Sequence, residues 1–411
     1  MTPETTNTSE PIYIYRGLLP CLLLLFVVNP FWGFVVSLYL VRNKICINQL
    51  QTIYVFISLF MALVAFTQVT DTGDITRVYE SIVSDNPYFK RAPFDYLLEN
   101  RNILFNLMNQ LLYTVIGDVR IVSSFWIFIL YFFTYKAIIN ILSYKELELE
   151  AGDVLLLTSS VVFCFIFFSQ VTEIMKQGVA TALFLYAFSC ILLNKTFQAV
   201  IVMVIASLIH LSSFFFLPVL LIFVCPGKII YIIFFISFLF RTFNLMSAVI
   251  EMMGHITGVD IFLLTEVQNA AEAYENGGSD NFFSSSSLFF VVLFWHFTIF
   301  TAITAIVKGD SILINACLIM IIILNLSFSN DHNYTRLLTM LFPFYIFIMI
   351  ELLECEEFQW QRIVIYSFCF ILMVFNFRML IGRFVSDTYR TSFLDNSLLN
   401  LISYPSFMYF M

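Results

Sequence analysis

Two polar sites in this 411-residue chain lie where an ionisable side chain is costly. Lys176 and Gln177 begin one apolar run, and His210 lies inside a later one. A charge near the bilayer centre costs about 2.5 to 3.5 kcal/mol on insertion scales, so such residues have partners, line a hydrated cavity or take part in chemistry. A lysine can neutralise an anion. For His210 the sequence leaves two alternatives open, a proton-transfer group or a core histidine satisfied by a backbone carbonyl or a nearby serine.

The loop after the second apolar run carries a further set of reactive groups. Asp71 and Asp74 are followed by Arg77 and Tyr79. A carboxylate can act as a general base on a hydroxyl group, and the arginine and tyrosine can orient that hydroxyl. The same residues also fit a capped amphipathic helix at the membrane interface, with Asp74 as its N-cap. The two interpretations are compatible.

Two other polar segments contribute candidates. The segment 94–116 has apolar residues at helical spacing but includes Arg101 and several amides, which predicts an amphipathic helix on the outer face that could roof a cavity. The connection 330–336 contains His332 and Arg336. A histidine beside an aspartate fits an acid–base pair, two metal ligands or a simple helix cap, and two ligands alone do not define a metal site.

The composition identifies the class of protein that must position these residues. The chain is 60% hydrophobic and only 12% charged, whereas soluble domains are about 25% charged. Its mean hydropathy is +0.91. We therefore predict an all-α polytopic membrane protein in which residues 1–411 form a single integral membrane domain. The eight cysteines lack metal-ligand spacing and are expected to pack as small apolar residues, and we expect no nucleic-acid partner.

The apolar runs predict about twelve membrane-spanning helices. Helices are expected because lipid offers no hydrogen-bond partner to exposed backbone groups. We interpret residues 196–225 as two short helices that turn near His210 and Ser212, because this run is too long for one span. The runs lie at 17–41, 51–69, 121–142, 153–170, 178–194, 196–225, 228–247, 285–307, 311–328, 337–353 and 362–382.

Basic residues in alternate short loops predict the orientation. The positive-inside rule places the lysine-bearing loops in the cytoplasm and both termini outside. The outer face then receives two longer acidic loops, 70–120 and 248–284, of which the second is either a lid or acceptor-binding loop or simply a solvated acidic loop. Most arginines also fall outside, where a guanidinium can bind phosphate through two hydrogen bonds. Pairing with a nearby acid is the simpler explanation for any single arginine, but the set predicts an outward-facing anion site.

The segment Glu173–Pro218, EIMKQGVATALFLYAFSCILLNKTFQAVIVMVIASLIHLSSFFFLP, resembles the core signature of the EpsG/Wzy-type polysaccharide polymerases. That signature has an Arg-Gln pair that opens a small-residue helix, a lysine-containing turn, and a helix that ends in Ala-x-x-x-His-x-Ser. Here Lys176–Ala180, Asn194–Lys195 and Ala206–Ser212 follow in that order.

Two weaker similarities and two departures accompany this signature. Gly73–Tyr79 is similar to the family's Gly-x-Asp and Tyr pattern, and Tyr334–Phe344 loosely matches its late helix. Lys176 stands where arginine is usual, and the arginine that commonly precedes the first-loop glycine is absent. A lysine still neutralises phosphate, although it cannot bind it through two parallel hydrogen bonds.

The resemblance implies glycosyl transfer at the outer face of the bacterial inner membrane. A glycan on undecaprenyl pyrophosphate would be moved onto the non-reducing sugar of a new lipid-linked repeat unit, in O-antigen or exopolysaccharide synthesis. It implies an outward-facing cavity, contact with membrane lipids and a chain-length regulator protein as partner. Arginine and lysine can take the place of a metal on the leaving pyrophosphate, so no metal or cofactor is expected.

Carried over to this chain, the resemblance divides the candidates into two groups. The candidate bases are Asp71, Asp74 and His210. The candidate pyrophosphate-binding and sugar-binding residues are Arg77, Tyr79, Arg101, Lys176, Gln177, His332 and Arg336.

Three other activities stay open on the residues. An O-antigen ligase has the same chemistry and differs in its acceptor. A lipid-linked oligosaccharide flippase would have a similar number of spans, and an internal repeat would be expected, whereas none is evident. A proton-coupled transporter would explain Glu173 and His210.

Overall fold

The protein is helical almost throughout the part that the computed structural model describes. The described residues are 18–41, 47–66, 68–69, 74–100, 102–166, 175–243, 286–327, 337–338, 340–341, 344–355, 360–385 and 390–391. Within them the only strand pairing is a two-residue antiparallel ladder between β1 (Gln68–Val69) and β2 (Arg390–Thr391).

The α-helices largely coincide with the apolar runs of the sequence. In chain order they are α1 Leu18–Val28, α2 Pro30–Val41, α3 Ile47–Phe66, α4 Asp74–Arg91, α5 Pro93–Glu99, α6 Ile103–Ile116, α7 Arg120–Tyr144, α8 Ala151–Ser160, α9 Met175–Leu192, α10 Thr196–Ile209, α11 Gly227–Thr242, α12 Ser286–Lys308, α13 Ile312–Leu326, α14 Tyr345–Glu354 and α15 Gln361–Val385. A π-helical turn, Val161–Phe165, extends α8, and a 3-10 helix, Leu211–Phe223, follows α10.

Several of these helices are suited to a membrane. Among the described residues, α7, α9 and the part of α12 from Val291 to Lys308 are long and apolar enough to cross one, judged by length and composition. Eight shorter apolar helices accompany them. The predicted fold class, an all-α polytopic membrane protein, is confirmed.

The first predicted span, 17–41, is two helices instead of one. Helix α1 ends at Val28 and α2 begins at Pro30, whose ring cannot continue the backbone hydrogen bonding of the preceding turn. The chain bends sharply here, so that Gly33 lies against Phe26. A β-carbon on Gly33 would be 2.8 Å from the Phe26 Cα, and only glycine permits this approach.

The described helices belong to two compact units. Unit 1 comprises Met1–Leu211 and Asn376–Met411, and unit 2 comprises Ser212–Phe375. In unit 1, α7 packs along both α3 and α9, α9 packs against α10, and α6 contacts α4, α5, α7 and α10. In unit 2, α11 packs along α13, and α12, α13 and α14 contact one another.

Buried aromatic and hydroxyl groups join three helices in the core of unit 1. The rings of Tyr54 on α3 and Tyr135 on α7 stack with their centroids 4.1 Å apart. Both hydroxyl groups reach Thr158 on α8, since Tyr54 Oη lies 3.1 Å from its Oγ1 and Tyr135 Oη donates to its carbonyl oxygen at 3.1 Å. These buried contacts fix the helices against which the candidate site is built.

A tight turn joins α9 to α10. Asn194 adopts a left-handed backbone with φ of +59°, and the Lys195 N–H donates to the Cys190 carbonyl at 2.8 Å. This is a Schellman-type helix end, in which the left-handed residue lets the chain reverse direction within a few residues.

The predicted break in the 196–225 run is also present. Helix α10 ends at Ile209, and His210 is extended, with φ of −156° and ψ of 129°. The 3-10 helix begins at the next residue.

One end of unit 2 is held by carboxylates. Lys308 Nζ lies 2.9 Å from Glu354 Oε1, and the Asn315 amide donates to Asp310 Oδ1 at 2.7 Å. The Asp310 carboxylate lies directly against Gly227, the first residue of α11, where a negative charge complements the helix dipole. The turns that precede α11 and α13 therefore meet at the same end of the unit.

Candidate functional site

The candidate site of unit 1 is organised around α6. Phe105 on this helix stacks on Trp126 of α7, with centroids 5.1 Å apart and the rings 20° from parallel. The Trp126 indole N–H donates to Asn109 Oδ1 at 2.7 Å. Lys176, in the first turn of α9, places its Nζ 5.6 Å from the Phe105 ring centroid. Phe105 of α6 thus contacts both Lys176 of α9 and the buried Trp126 of α7.

The first turn of α9 combines several features that suit an anion. The four backbone N–H groups at a helix start have no partner within the helix, and the helix dipole makes this end positive. Lys176 is half-buried there, and Gln177 is only 6% exposed. The Gln177 Oε1 atom makes no hydrogen bond with any residue that the structure describes.

The α9–α10 hairpin returns His210 to the same end of unit 1 as Lys176. At about 1.5 Å per residue, the stretch from Lys176 to Leu192 is about 24 Å long and that from Thr196 to His210 is about 21 Å long. Because the two helices pack side by side after a tight turn, His210 lies within about one helical turn of the level of Lys176. Helix α10 also packs on α6, and His210 itself is half-buried.

Helix α4 carries three of the four candidates of the first loop, Asp74, Arg77 and Tyr79. It begins at Asp74, as expected from the interpretation of this loop as an amphipathic helix, and Arg77 is exposed on it. The Tyr79 hydroxyl donates to Ser123 Oγ on α7 at 2.7 Å. Tyr79 thereby holds α4 on α7, a contact that the sequence did not indicate.

A network of buried amides explains the polar residues of α6. Asn86 on α4 donates to Gln110 Oε1 at 2.8 Å and to Thr114 Oγ1 at 2.9 Å, and Gln110 Nε2 donates to the Ile82 carbonyl at 3.2 Å. The predicted continuous helix 94–116 is two helices, because α5 ends at Glu99 and α6 begins at Ile103. Its amides Asn109 and Gln110 face other helices, because buried amides require hydrogen-bond partners.

One of the arginines predicted to face outward is paired with a neighbouring acid. Arg120 forms an ion pair with Asp118, with Nη2 and Oδ2 2.7 Å apart, and lies over the Phe66 ring. Partial burial acts to raise the pKa of Asp118, but hydrogen bonds from the Arg120 side chain and backbone and its positive charge prevail, so this pKa lies below its usual value. The Arg241 guanidinium carbon lies 3.9 Å from the Phe294 centroid in unit 2. The ion pair with Asp118 therefore explains why the charge of Arg120 is tolerated at this position.

The remaining candidates stay predictions. Asp71, Arg101, His332 and Arg336 lie outside the described residues, as does the loop 248–284, and only the backbone of Asp74 is described.

Sequence reasoning missed the contact of Lys176 with Phe105 and the Trp126–Asn109 pair on which Phe105 stacks. Trp126 carried a signal, because a buried indole N–H in an apolar helix needs an acceptor, but nothing in the sequence identifies Asn109 as that acceptor. It also missed His296, buried on α12 of unit 2, whose Nδ1 lies 3.3 Å from the Tyr345 hydroxyl and whose ring stacks on Phe368.

The comparison with known families decides what kind of protein carries this site. The model of the EpsG family matches residues 49–390, which include most of α3, all of α4 to α15 and the signature from Lys176 to His210. The chain belongs to the EpsG family. Membership in the EpsG family identifies a membrane protein of the polysaccharide-polymerase type and confirms the resemblance seen in the sequence. No curated protein and no solved structure matches this EpsG-family chain.

Proposed function

We propose that this EpsG-family protein polymerises undecaprenyl-pyrophosphate-linked oligosaccharide repeat units at the periplasmic face of the bacterial inner membrane. The product would be an O-antigen or a related exopolysaccharide. The observation that carries the proposal is the position of Lys176, at the positive end of α9, beside buried Gln177 and at the same end of the hairpin as His210.

Lys176 would bind the diphosphate of the donor. A charge-assisted hydrogen bond contributes about 1.5 to 3 kcal/mol, and the adjoining helix start adds to the attraction for an anion. Arg77, Arg101 and Arg336 are proposed to share this charge, and Gln177, Tyr79 and His332 to bind the diphosphate or the sugar. Neutralising the diphosphate makes it a better leaving group, which lowers the barrier to its departure.

The proposed reaction is a single glycosyl transfer. A hydroxyl oxygen on the non-reducing sugar of the acceptor repeat unit forms a bond to the anomeric carbon of the donor glycan, and the bond from that carbon to the pyrophosphate oxygen breaks. The pyrophosphate leaves on undecaprenyl with the bonding electron pair. His210, Asp74 or Asp71 takes the hydroxyl proton, a role that typically contributes a 10²- to 10⁴-fold rate increase.

Both substrates carry a long lipid and a soluble glycan, so the active site must open to the bilayer and to the outer aqueous phase. We propose an outward-facing cavity lined by α6, α9 and the end of α10, in contact with membrane lipids. A chain-length regulator protein is the proposed partner at this face.

Alanine substitutions in cells test the proposal. Lys176→Ala and His210→Ala should shorten or abolish the ladder of glycan lengths, at expression levels matched by immunoblot. Lys195→Ala is the matched control, because this exposed lysine lies at the other end of the same hairpin and should leave the ladder unchanged. Wild-type ladders from both Lys176→Ala and His210→Ala would overturn the proposed roles of this pair.

A further inference from the structure

The Lys176 side chain has an aromatic neighbour that is itself held in place. Phe105 is 2% exposed and Trp126 is 3% exposed, so both rings are buried between helices. The Lys176 ammonium lies 5.6 Å from the Phe105 centroid, within the range of a cation–π interaction. The Phe105 ring therefore stabilises the Lys176 cation, and unlike a carboxylate it does so without neutralising the charge.

Two contacts determine the orientation of the Phe105 ring. It stacks almost parallel on Trp126, and Trp126 is oriented by the hydrogen bond from its indole N–H to Asn109. Phe105 and Asn109 are four residues apart and so lie on the same face of α6. Helix α6 thus supplies both the ring and the acceptor that orients the stacking partner.

We propose that Phe105 is a positioning residue that holds the Lys176 ammonium for the donor diphosphate, with Trp126 and Asn109 fixing the ring. This inference rests on the proposed function. The π face of the ring attracts the ammonium electrostatically without neutralising its charge, so the charge stays available to attract the diphosphate. Loss of the ring should leave the charge present but less well positioned.

A double-mutant cycle separates this positioning role from simple packing. The variants are Phe105→Leu, Lys176→Met and the double variant, and the measurement is equilibrium binding of undecaprenyl pyrophosphate by each purified full-length protein in detergent micelles. Phe105→Leu should weaken binding about two- to fivefold in the wild-type background and leave it unchanged in the Lys176→Met background. A packing defect would instead weaken binding equally in both backgrounds, which would overturn the inference.

Controls keep the outcomes distinct. Phe184→Leu truncates a different buried phenylalanine, which lies on α9 about two turns beyond Lys176, and this variant should bind undecaprenyl pyrophosphate as the wild type does. Phe105→Met removes the ring with less loss of volume and replaces Phe105→Leu if that variant does not fold. Wild-type binding by Lys176→Met would overturn the proposed anion-binding role of Lys176, whereas weak binding by Lys176→Met with wild-type binding by Phe105→Leu would overturn only the positioning role.

Discussion

Replacing Lys176 by arginine should strengthen diphosphate binding. The Lys176 ammonium lies 5.6 Å from the Phe105 centroid, near the outer limit of a cation–π interaction. Elsewhere in this chain two guanidinium carbons lie closer to aromatic rings, 4.6 Å from the Phe66 centroid and 3.9 Å from that of Phe294. A guanidinium at position 176 can stack at such distances and still offer paired N–H donors to phosphate.

The expected gain can be estimated from the aromatic contact alone. Improving a weak cation–π contact to a good one is worth about 0.5 to 1 kcal/mol, which corresponds to about two- to fivefold tighter binding. Undecaprenyl pyrophosphate binding by Lys176→Arg should show this gain, and Lys176→Met should bind about ten- to a hundredfold more weakly than the wild type because a charge-assisted hydrogen bond is lost. Binding by Lys176→Arg as weak as that of Lys176→Met would refute the reasoning, since the charge would then be irrelevant.

Three further predictions concern stability. Gly227→Ala should lower the free energy of unfolding by about 1 to 3 kcal/mol, because its β-carbon would lie 2.5 Å from the Asp310 carboxylate oxygens. In an Asp310→Ala background the same change should lower it by less. An equal loss in both backgrounds would contradict the clash. Asn194→Val should lower the free energy of unfolding by about 1 to 2 kcal/mol and Asn194→Gly should leave it almost unchanged, because a φ of +59° is strained for a β-branched residue and not for glycine. Equal thermal stability of the two variants would contradict this. The pKa of Asp118 is lowered in the folded protein, so the ionised carboxylate stabilises the fold fully above its unfolded pKa, and this stabilisation is lost as the pH falls through the folded pKa. The difference in unfolding free energy between wild type and Asp118→Asn should therefore shrink below about pH 4. A difference that stays constant with pH would contradict the assignment.

The sequence predicted the positions of most helices because apolar runs and their breaks are local. It identified the break at His210 from the length of the 196–225 run, and the structure has it at that residue. The bend at Pro30 was missed although proline is a known helix breaker, because residues 17–41 are apolar on both sides of it.

The pairing of side chains within the site could not be predicted. The amides of the segment 94–116 predicted a helix at the membrane surface, but the acceptor role of Asn109 for Trp126 depends on how α6 packs on α7. The contact of Lys176 with Phe105 likewise joins residues far apart in the chain, and neither helix carries a local signal of the other. The substrate-binding role of Tyr79 stays a prediction, and its hydrogen bond to Ser123 became evident only from the packing of α4 on α7.

The central claim is that this EpsG-family protein itself polymerises lipid-linked repeat units. The most direct measurement supplies the purified protein with undecaprenyl-pyrophosphate-linked repeat units, without added metal, and follows the length of the glycan. The account predicts a ladder of elongated lipid-linked glycans with release of undecaprenyl pyrophosphate, and a loss of this ladder in the Lys176→Met variant. Repeat units that stay unextended with an active, folded preparation, or that move across a vesicle membrane without extension, would contradict it.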